Sequence, residues 1–598
     1  MNEKNLIRVS DYVANFISDQ GVKNVFMIVG GFSMHLVDAI ANHPSLKYTC
    51  MHHEQALVMA AEGYARENGS LGVACVTAGP GATNTLTGVV GAHFDSIPCM
   101  VITGQTKTKD IKFGDVRQSG TQGFETLPLF EKVTKYAVTI TDPMEIRFHL
   151  EKAVYIAKSG RPGPVWIEIP LDVQGVLIDP HELKGFTAEN EQPTDSELNR
   201  KVQVLLDLLK ISKKPLFLFG HGVRLAKAVT IAVQISEKLQ IPIITSRLGI
   251  DCIESNSKMS VGRPGTYGER AANFAVQQTD LLIVVGCRLH SPLIGHNYKE
   301  FAKNAKIIVV DIDESELKKP VMAEATVKIK SDAMLFLKKL STDSSDIDPK
   351  RYVGWVEKCN EWKKKYPVVL PEYSDDTDGV NSYYFVEKLS EHLKKDDTVV
   401  VDTSSCFHVV SQAIKIKKGE RYITTGGLST MGYAVPAAIG VCVAKQSGRV
   451  IAITGDGSLQ MNLQELQTIV YNKLPIKLFV LNNDGYLLIR HTQNNFMEGR
   501  LVGESPKTGL SCPDLEKIAH AYGIPFTRLN KVSELDTVLK KVLESTEQQI
   551  CEIMTPTNQL IIPRVASDKL PDGRLVARLF DDMYPFLDRK TYQEETNI

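Results

Sequence analysis

The chain has 598 residues, a formal net charge of −1 and 43% hydrophobic residues, which is the composition of an ordinary globular protein. A net charge so close to zero excludes a protein-wide field that would attract nucleic acid or an anionic membrane surface. No stretch is apolar enough for a signal peptide or a membrane-spanning helix, and the 10 cysteines form no Cys-x-x-Cys pair, so we expect a cytoplasmic protein without disulfide, zinc or iron–sulfur sites.

Strand-like apolar runs alternate with helical patterns along the whole chain, which predicts an α/β protein with parallel sheets. A single hydrophobic core stops growing at about 250–300 residues, so several domains are expected. Polar stretches at residues 187–197 and 342–346 separate three such blocks. We predict three parallel-sheet domains at residues 1–178, 190–345 and 378–560, followed by a C-terminal tail at residues 561–598.

The first block contains an acidic residue, Glu54, at the start of a predicted helix. A strand at Tyr48–Cys50 precedes it, and Gly30-Gly31 and Gly79-Pro80-Gly81 lie upstream and downstream in glycine-rich segments. A carboxylate in the first turn of a helix is favoured by the helix dipole. The helix dipole would be enough to explain an isolated glutamate at this position. Only the sequence segments around Glu54 indicate a further role.

The central block contains Gly220-His221-Gly222-Val223-Arg224 directly after a predicted strand, Leu216–Phe219. A dinucleotide-binding fingerprint would have a third glycine, but Leu225 occupies that place. Further strands are predicted at Leu281–Val285 and Ile307–Val310. The motif alone is therefore weak evidence for a nucleotide.

The third block carries the strongest motif. A predicted strand at Val450–Ile453 leads into Gly455-Asp456-Gly457-Ser458, and a second strand at Ile476–Leu481 leads into Asn482-Asn483-Asp484-Gly485-Tyr486. Such a strand–helix–strand unit builds a parallel sheet, and ligands bind at the carboxyl ends of its strands. Carboxylate, amide and carbonyl oxygens suit a Mg²⁺ ion that also holds phosphate, and the start of the helix adds N–H donors.

At this spacing the third block resembles the diphosphate–metal motif of thiamine diphosphate enzymes. The segments around Glu54, together with Phe94-Asp95-Ser96-Ile97-Pro98, resemble the pyrimidine-binding domain of the acetolactate synthase-like family within those enzymes. The likeness covers nearly the whole chain. It implies that Asp456, Asn483 and the backbone carbonyl of Gly485 bind the metal.

The resemblance also assigns the catalytic residues. Glu54 is expected to hydrogen-bond N1′ of the cofactor's aminopyrimidine, which promotes removal of the thiazolium C2 proton by the cofactor's own 4′-nitrogen. Met431 is expected to support the bent cofactor, and Gly31 and Gln122 to line the reacting end. The remaining residues implied in cofactor binding are Thr403, Ser405, His408, Gly427, Ser429, Gly457, Ser458 and Tyr486.

The central block resembles the FAD-lining loops of acetolactate synthases. The residues implied are Gly220, Gly222, Arg224, Gly265, Thr266, Arg288 and Asp311. Some members of the family keep this domain without flavin, or bind ADP there, so a purely structural domain is the alternative. The flavin of the relatives does no net redox work, so no oxidation chemistry is expected.

The donor substrate implied by the family is a 2-oxo acid, expected to be pyruvate, whose two-carbon unit passes to a carbonyl acceptor. Acetolactate synthases usually show a Gln-Trp pair shortly after the metal motif, whereas this chain has Leu487 to Gln493 there. The segments Phe32–Leu36 and Phe113–Gln118 also depart from their pattern. These features resemble relatives that build branched-chain sugars, which predicts a keto-sugar nucleotide as acceptor.

The alternatives are an acetolactate synthase that condenses two pyruvates, another thiamine diphosphate lyase or decarboxylase, or a catalytically silent binding subunit. Three residues are candidates for binding a polar acceptor or its phosphates: His35, Arg490 and His491. The guanidinium of Arg490 offers a bidentate fork for such groups. A surface charge or a histidine satisfied in the core would explain them equally well.

The family forms its sites between chains, with the pyrimidine-binding domain of one subunit facing the diphosphate-binding domain of another. Glu54 and Asp456 would then meet only across a subunit interface. We therefore expect a homodimer or homotetramer.

Overall fold

The computed structural model describes residues 6–111, 116–188, 195–295, 297–375, 378–569, 571–572 and 574–596. Residues 113–115 of the divergent Phe113–Gln118 segment and most of the predicted linker at 187–197 lie outside the described residues. Within the described ranges no helix has the length and apolar character needed to cross a membrane.

The first block forms a six-stranded parallel sheet. Its strands are β2 (Asn24–Met27), β3 (Lys47–Cys50), β4 (Gly72–Val76), β5 (Cys99–Gln105), β6 (Tyr136–Thr139) and β7 (Val165–Pro170), while β1 (Ile7–Arg8) and β8 (Leu177–Ile178) pair apart from it. The sheet order is β3-β2-β4-β5-β7-β6. Its helices are Val9–Asp19, Met34–Asn42, Glu54–Asn68, Pro80–Thr83, Leu86–Asp95, Leu127–Phe130, Ile146–Lys158 and Leu171–Gln174.

The central block forms a second six-stranded parallel sheet. Its strands are β9 (Pro215–Phe219), β10 (Ile243–Thr245), β11 (Ser260–Gly262), β12 (Leu281–Val285), β13 (Lys306–Asp311) and β14 (Val327–Lys330), in the order β11-β10-β9-β12-β13-β14. Its helices are Asp195–Ile211, His221–Leu225, Val229–Leu239, Arg270–Gln278, Ser291–Ile294, Glu314–Leu317 and Ala333–Asp343, and Val353–Lys365 follows.

The third block forms a third such sheet. Its strands are β15 (Thr398–Val401), β16 (Arg421–Thr424), β17 (Val450–Gly455), β18 (Ile476–Asn482), β19 (Phe526–Leu529) and β20 (Gln549–Met554), in the order β16-β15-β17-β18-β20-β19. Its helices are Ser382–His392, Ser404–Ala413, Ala434–Lys445, Asp456–Leu459, Glu465–Tyr471, Leu487–Phe496, Leu515–Tyr522 and Leu535–Glu544. The predicted α/β class with three parallel sheets is confirmed, whereas the domain limits stay predictions.

The strand orders explain where the sites lie. Counted along each block, the first and third sheets share the order 2-1-3-4-6-5, and the central sheet has the order 3-2-1-4-5-6. Open parallel sheets bind ligands outside the carboxyl ends of the strands where this order reverses. Those points are the ends of β2 and β4, of β9 and β12, and of β15 and β17. The predicted motifs around Gly31, Gly222 and Asp456 follow these strands.

The C-terminal tail folds over the central domain. Strand β21 (Arg564–Val565) pairs with β24 (Met583–Tyr584), and β22 (Ser567–Lys569) with β23 (Leu575–Ala577), before a final helix, Arg589–Thr596. Glu595 of that helix accepts hydrogen bonds from Trp362 at 2.8 Å and Tyr366 at 2.9 Å. Although burial opposes ionisation, bonds from Lys365 and these aromatic groups lower the pKa of Glu595 to about 2.

The first and third domains meet through two helices, Glu54–Asn68 and Ala434–Lys445, whose backbones touch. A Cβ at Gly440 would lie 1.8 Å from the carbonyl oxygen of Ala60, and one at Gly63 would lie 2.2 Å from that of Ala437. Both glycines are therefore needed because they let the two helix backbones come into contact, and not because they form turns.

We expect Gly440→Ala to push these helices apart and to destabilise the protein by about 1–3 kcal/mol, as overpacking does. The measurement is the midpoint of thermal or urea unfolding. Gly354→Ala, in the helix Val353–Lys365 where nothing lies within 4 Å of the added carbon, is the control and should leave the midpoint unchanged or slightly raised. Equal midpoints for both variants would contradict the packing argument.

Candidate active site

Glu54 begins its helix at the carboxyl edge of the first sheet and is half-buried. Its Oε2 accepts a hydrogen bond of 3.0 Å from Nδ2 of Asn84. The preceding His53 caps the helix instead, since its side chain accepts from the backbone N–H of Gln55. The carboxylate of Glu54 is thus oriented by one amide and is not consumed by helix capping. Asn84 lies three residues beyond Gly79-Pro80-Gly81, and the sequence assigns it no role.

Gly31 and Gln122 lie in loops that meet beside Glu54. The N–H that follows Gly31 donates to Oγ1 of Thr77 at 3.2 Å, which joins the loops after β2 and β4. A Cβ at Gly79 would lie 2.7 Å from that of Gln122, so Gln122 contacts the same loop. The structure therefore places the three residues predicted for this end of the site at one sheet edge.

Asp456 and Asn483 lie at the ends of the neighbouring strands β17 and β18 and are 5% and 4% exposed. Oδ2 of Asp456 accepts from the N–H of Gly485 at 2.8 Å. Oδ1 of Asn483 is buried and has no hydrogen-bond partner among the described residues. Burial raises the pKa of Asp456 to about 6, so a nearby cation would favour its ionised form.

The oxygen atoms of Asp456, Asn483 and Gly485 fit Mg²⁺, which takes oxygen ligands. A buried amide oxygen without a hydrogen-bond partner needs an explanation, and a bound cation would provide one. No group of three or more His, Cys, Asp and Glu side chains in the described part of the chain could hold a metal. A metal here would thus depend on the mixed set of Asp456, Asn483 and the Gly485 carbonyl.

The residues predicted to bind the cofactor's diphosphate surround this set. A Cβ at Gly457 would lie 2.2 Å from the ring of Tyr486, so only glycine lets that ring lie against the start of the helix Asp456–Leu459. Thr403 is the N-cap of the helix Ser404–Ala413, which also contains Ser405. The helix predicted after Gly457 is interrupted at Gln460–Asn462 by a short 3₁₀ segment, where Asn462 donates to the carbonyl of Gly432.

Asp402 is a buried carboxylate that our sequence analysis missed. Its Oδ1 accepts from the N–H of Thr403 at 2.9 Å and of Gly432 at 3.2 Å, and its Oδ2 from Ala434 at 3.1 Å and from Thr454 at 3.0 Å. It therefore fixes the diphosphate loop relative to the turn that carries Met431. An acidic residue directly after the strand β15 was the available signal.

The predicted residues Gly427, Ser429 and Met431 lie on one loop after β16. The N–H groups of Gly426 and Gly427 donate to the carboxylate of Asp95 at 3.0 and 2.8 Å, and Arg66 holds the same carboxylate at 2.7 Å. Asp95, quoted above only for the resemblance, thus ties this loop to the first domain.

Backbone strain is present in the same loops. Gln122, Ser404, Ser429 and Asp484 have φ values of 63°, 65°, 57° and 59°, a region that non-glycine residues seldom adopt. Such conformations cost about 1–3 kcal/mol each, persist where the surroundings enforce them, and cluster at functional sites.

A cavity of about 570 Å³ lies where the central domain faces the first and third domains. It opens at the carboxyl ends of β9, β12 and β13, which include the point where the strand order reverses. Burial raises the pKa of Asp311 at its wall and lowers that of His408. The predicted site residues that line it are Gly222, Arg288, Asp311, Thr403, His408 and Ser429.

Four of the residues predicted for flavin are not among the lining residues. Gly220 packs against the next loop, since its Cβ would lie 2.1 Å from the carbonyl oxygen of Gly286. Arg224 forms an ion pair of 2.9 Å with the buried Asp251. The N–H of Gly265 donates to Asn273, and Thr266 donates to the carbonyl of Pro292.

The three predicted substrate residues have different surroundings. A Cβ at Gly175 would lie 3.4 Å from Nε2 of His35, which places that ring at the small helix after β7. Arg490 is 6% exposed and donates to protein oxygens. His491 is different, because its Nε2 is buried without a hydrogen-bond partner in the described ranges, and burial lowers its pKa.

Comparisons with known families match all three blocks. Residues 7–129 match "Thiamine pyrophosphate enzyme, N-terminal TPP binding domain", where thiamine pyrophosphate (TPP) is another name for thiamine diphosphate. Residues 202–340 match the central domain of the same enzymes, and residues 402–553 match their C-terminal TPP binding domain.

Relatives of similar length are also found. The chain is 32% identical over 581 residues to the acetolactate synthase large subunit of Lactococcus lactis subsp. lactis (strain IL1403), covering 96% of this chain and 97% of that protein. It is 32% identical to the probable acetolactate synthase large subunit of Methanococcus aeolicus, covering 94% and 93%. It is 30% identical to acetolactate synthase 1, chloroplastic, of Zea mays, covering 94% and 89%. The chain belongs to the thiamine diphosphate-dependent, acetolactate synthase-like enzymes.

Proposed function

We propose that the protein condenses two pyruvate anions and one proton into one acetolactate anion and one CO₂. The observation that carries this proposal is the similarity over 94–96% of the chain to relatives named as acetolactate synthases. The predicted keto-sugar acceptor finds no support in these comparisons, which favour the alternative of two pyruvates. On this proposal, the absence of the Gln-Trp pair does not change the acceptor.

Two groups of residues would act on opposite ends of the cofactor. When bound, thiamine diphosphate supplies a nucleophilic carbon and accepts the electron pair left by decarboxylation. Glu54, held by Asn84, would share a proton with the aminopyrimidine ring. Met431 would support the bent cofactor, on a turn fixed by Asp402. Asp456, Asn483 and Gly485 would hold Mg²⁺ and through it the diphosphate, for which the orphaned Oδ1 of Asn483 is the support.

We propose FAD as a second cofactor in the cavity that the central domain forms with the first and third domains. The support is the strand order 3-2-1-4-5-6, which is typical of dinucleotide-binding sheets, with a cavity of about 570 Å³ at its reversal point. The purified protein should then show the visible absorption of oxidised flavin. A colourless protein that releases no flavin on denaturation would support a purely structural central domain.

We propose that the sites form between two copies of the chain. Mixing Glu54→Gln with Asp456→Asn protein, after dissociation and reassembly, should restore about a quarter of wild-type activity, because half of the dimers are then mixed and each has one intact site. No recovery would mean that Glu54 and Asp456 act within one chain. Size-exclusion chromatography would separate a dimer from a tetramer.

The proposed reaction is tested by incubating the protein with pyruvate, thiamine diphosphate and Mg²⁺. We expect CO₂ and acetolactate in equal amounts from pyruvate alone. CO₂ release that accelerates only after a keto-sugar nucleotide is added would overturn the proposal in favour of sugar synthesis. Cofactor binding without turnover of any 2-oxo acid would leave a binding subunit.

A further inference from the structure

Arg490 lies beneath the loop that carries the proposed metal ligands. It belongs to the helix Leu487–Phe496, and its side chain is 7% exposed. Nη1 donates to the carbonyl of Asn483 at 3.2 Å and also to that of Thr557, and Nη2 donates to the carbonyl of Asp484 at 3.0 Å. Nε donates to the carboxylate of Glu504. Four of its five N–H groups are thus used by protein oxygens.

Glu504 holds the same loop from the other side. Its backbone carbonyl accepts from the N–H of Tyr486 at 2.8 Å, and a Cβ at Gly485 would lie 2.0 Å from that oxygen. Its carboxylate accepts from Ser505 at 2.6 Å and from Thr508 at 3.3 Å as well as from Arg490. Although burial raises the pKa of Glu504, these hydrogen bonds lower it overall, so the carboxylate is ionised.

The loop needs such support because its backbone is strained. Asp484 and Gly485 have consecutive positive φ values of 59° and 126°, and only glycine adopts the second without penalty. Arg490 donates to the carbonyls of Asn483 and Asp484, and the backbone carbonyl of Glu504 accepts from the N–H of Tyr486. The two residues therefore enclose the strained segment.

The charges of Arg490 and Glu504 are compatible with a Mg²⁺ ion bound nearby. An unpaired guanidinium this close to Asp456 and Asn483 would repel Mg²⁺, but Glu504 neutralises it within a buried pair whose side chains are 7% and 2% exposed. The buried negative charge presented to the metal then comes from Asp456, and the exposed carboxylate of Asp484 in the same loop adds to it.

We infer that Arg490 is a positioning residue, which together with Glu504 holds residues 483–486 so that Asn483 and the Gly485 carbonyl point toward the metal bound by Asp456. This inference rests on the proposed Mg²⁺ site. It replaces the substrate contact predicted for Arg490, since most of its donors are occupied beneath the loop.

The test is Arg490→Lys, in which a single ammonium replaces a fork that serves four oxygens. We expect the Mg²⁺ concentration that half-saturates thiamine diphosphate binding to rise by about 10–100-fold, the usual cost of losing a residue that orients metal ligands. Titration calorimetry or protein fluorescence measures it without turnover. Binding should recover at high Mg²⁺, and KM for pyruvate measured there should stay near the wild-type value.

The control is Arg500→Lys, an exposed arginine paired with Glu498 a few residues beyond the same helix, which should leave the Mg²⁺ dependence unchanged. Glu504→Gln is the second variant, in case Arg490→Lys does not fold, and should shift the Mg²⁺ dependence in the same direction by less. An unchanged Mg²⁺ dependence in a folded variant, or a raised KM for pyruvate alone, overturns the inference. Wild-type protein whose cofactor binding ignores Mg²⁺ would instead refute the proposed metal site.

Discussion

Glu54→Gln is expected to leave thiamine diphosphate bound while slowing acetolactate formation by about 10²–10⁴-fold, the usual contribution of a positioned proton-transfer group. Glutamine keeps the shape and can still bond Asn84, but it cannot share a proton with the aminopyrimidine ring. Two measurements check it: exchange of the thiazolium C2 proton, followed by nuclear magnetic resonance, and turnover of pyruvate. Both should slow together.

The matched control is Glu67→Gln in the same helix. One carboxylate oxygen of Glu67 accepts from Thr398 at 3.1 Å and the other from Lys445 at 3.4 Å at the domain junction, so glutamine keeps one of these two acceptors. Activity should stay within about twofold of wild type, as at a site away from the chemistry. Wild-type proton exchange in Glu54→Gln would remove Glu54 from the catalytic role.

Asp456→Asn should abolish tight cofactor binding at physiological Mg²⁺. The expected loss of affinity is at least about 100-fold, because a direct ligand contributes more than an orienting residue, whose loss costs about 10–100-fold. The change removes the one carboxylate of the proposed set but keeps an acceptor for the N–H of Gly485. Titration of thiamine diphosphate at several Mg²⁺ concentrations measures it.

Asp396→Asn is the control for that substitution. Asp396 is exposed in the turn before β15 with a φ of 71°, which asparagine tolerates, so cofactor binding should not change. Ligand binding also stabilises the fold, by about 2.7 kcal/mol at 100 times Kd, so Mg²⁺ and cofactor should raise the unfolding midpoint of wild type but not of Asp456→Asn. An equal rise in both would contradict metal ligation by Asp456.

Strand positions and the loops that follow them were predictable from the sequence. Parallel strands buried on both faces are continuous apolar runs, so Leu281–Val285 was predicted with its observed limits, and Ile476–Leu481 fell one residue short. Glycine turns directly after such runs placed Asp456, Asn483 and Gly31 at strand ends. The family was equally readable, because these motifs keep their order and spacing.

Residues whose role depends on their contacts in the folded chain were not predictable in the same way. Asp402, Asp95 and Arg490 contact backbone groups that are 30, 331 and as few as 6 residues away. The position of Asp402 directly after β15 is a local signal, but no local pattern shows which groups these three residues contact. The sequence predicts that Arg490 is a free cation for substrate, whereas in the structure it donates to backbone carbonyls and to Glu504. Burial and hydrogen-bond saturation are properties of the folded chain.

The sequence by itself determined the fold class and, through its resemblance to a known family, the cofactor family and the candidates Glu54, Asp456 and Asn483, because hydrophobic period and motif spacing are local properties. Tertiary structure alone decided which loops meet at the strand-order reversals, which carboxylates hold them, and that Asn483 keeps an amide oxygen without a partner in the described chain. Those outcomes depend on contacts between segments from about 30 to more than 300 residues apart, whose pairing is set by sheet order and the burial of apolar surface.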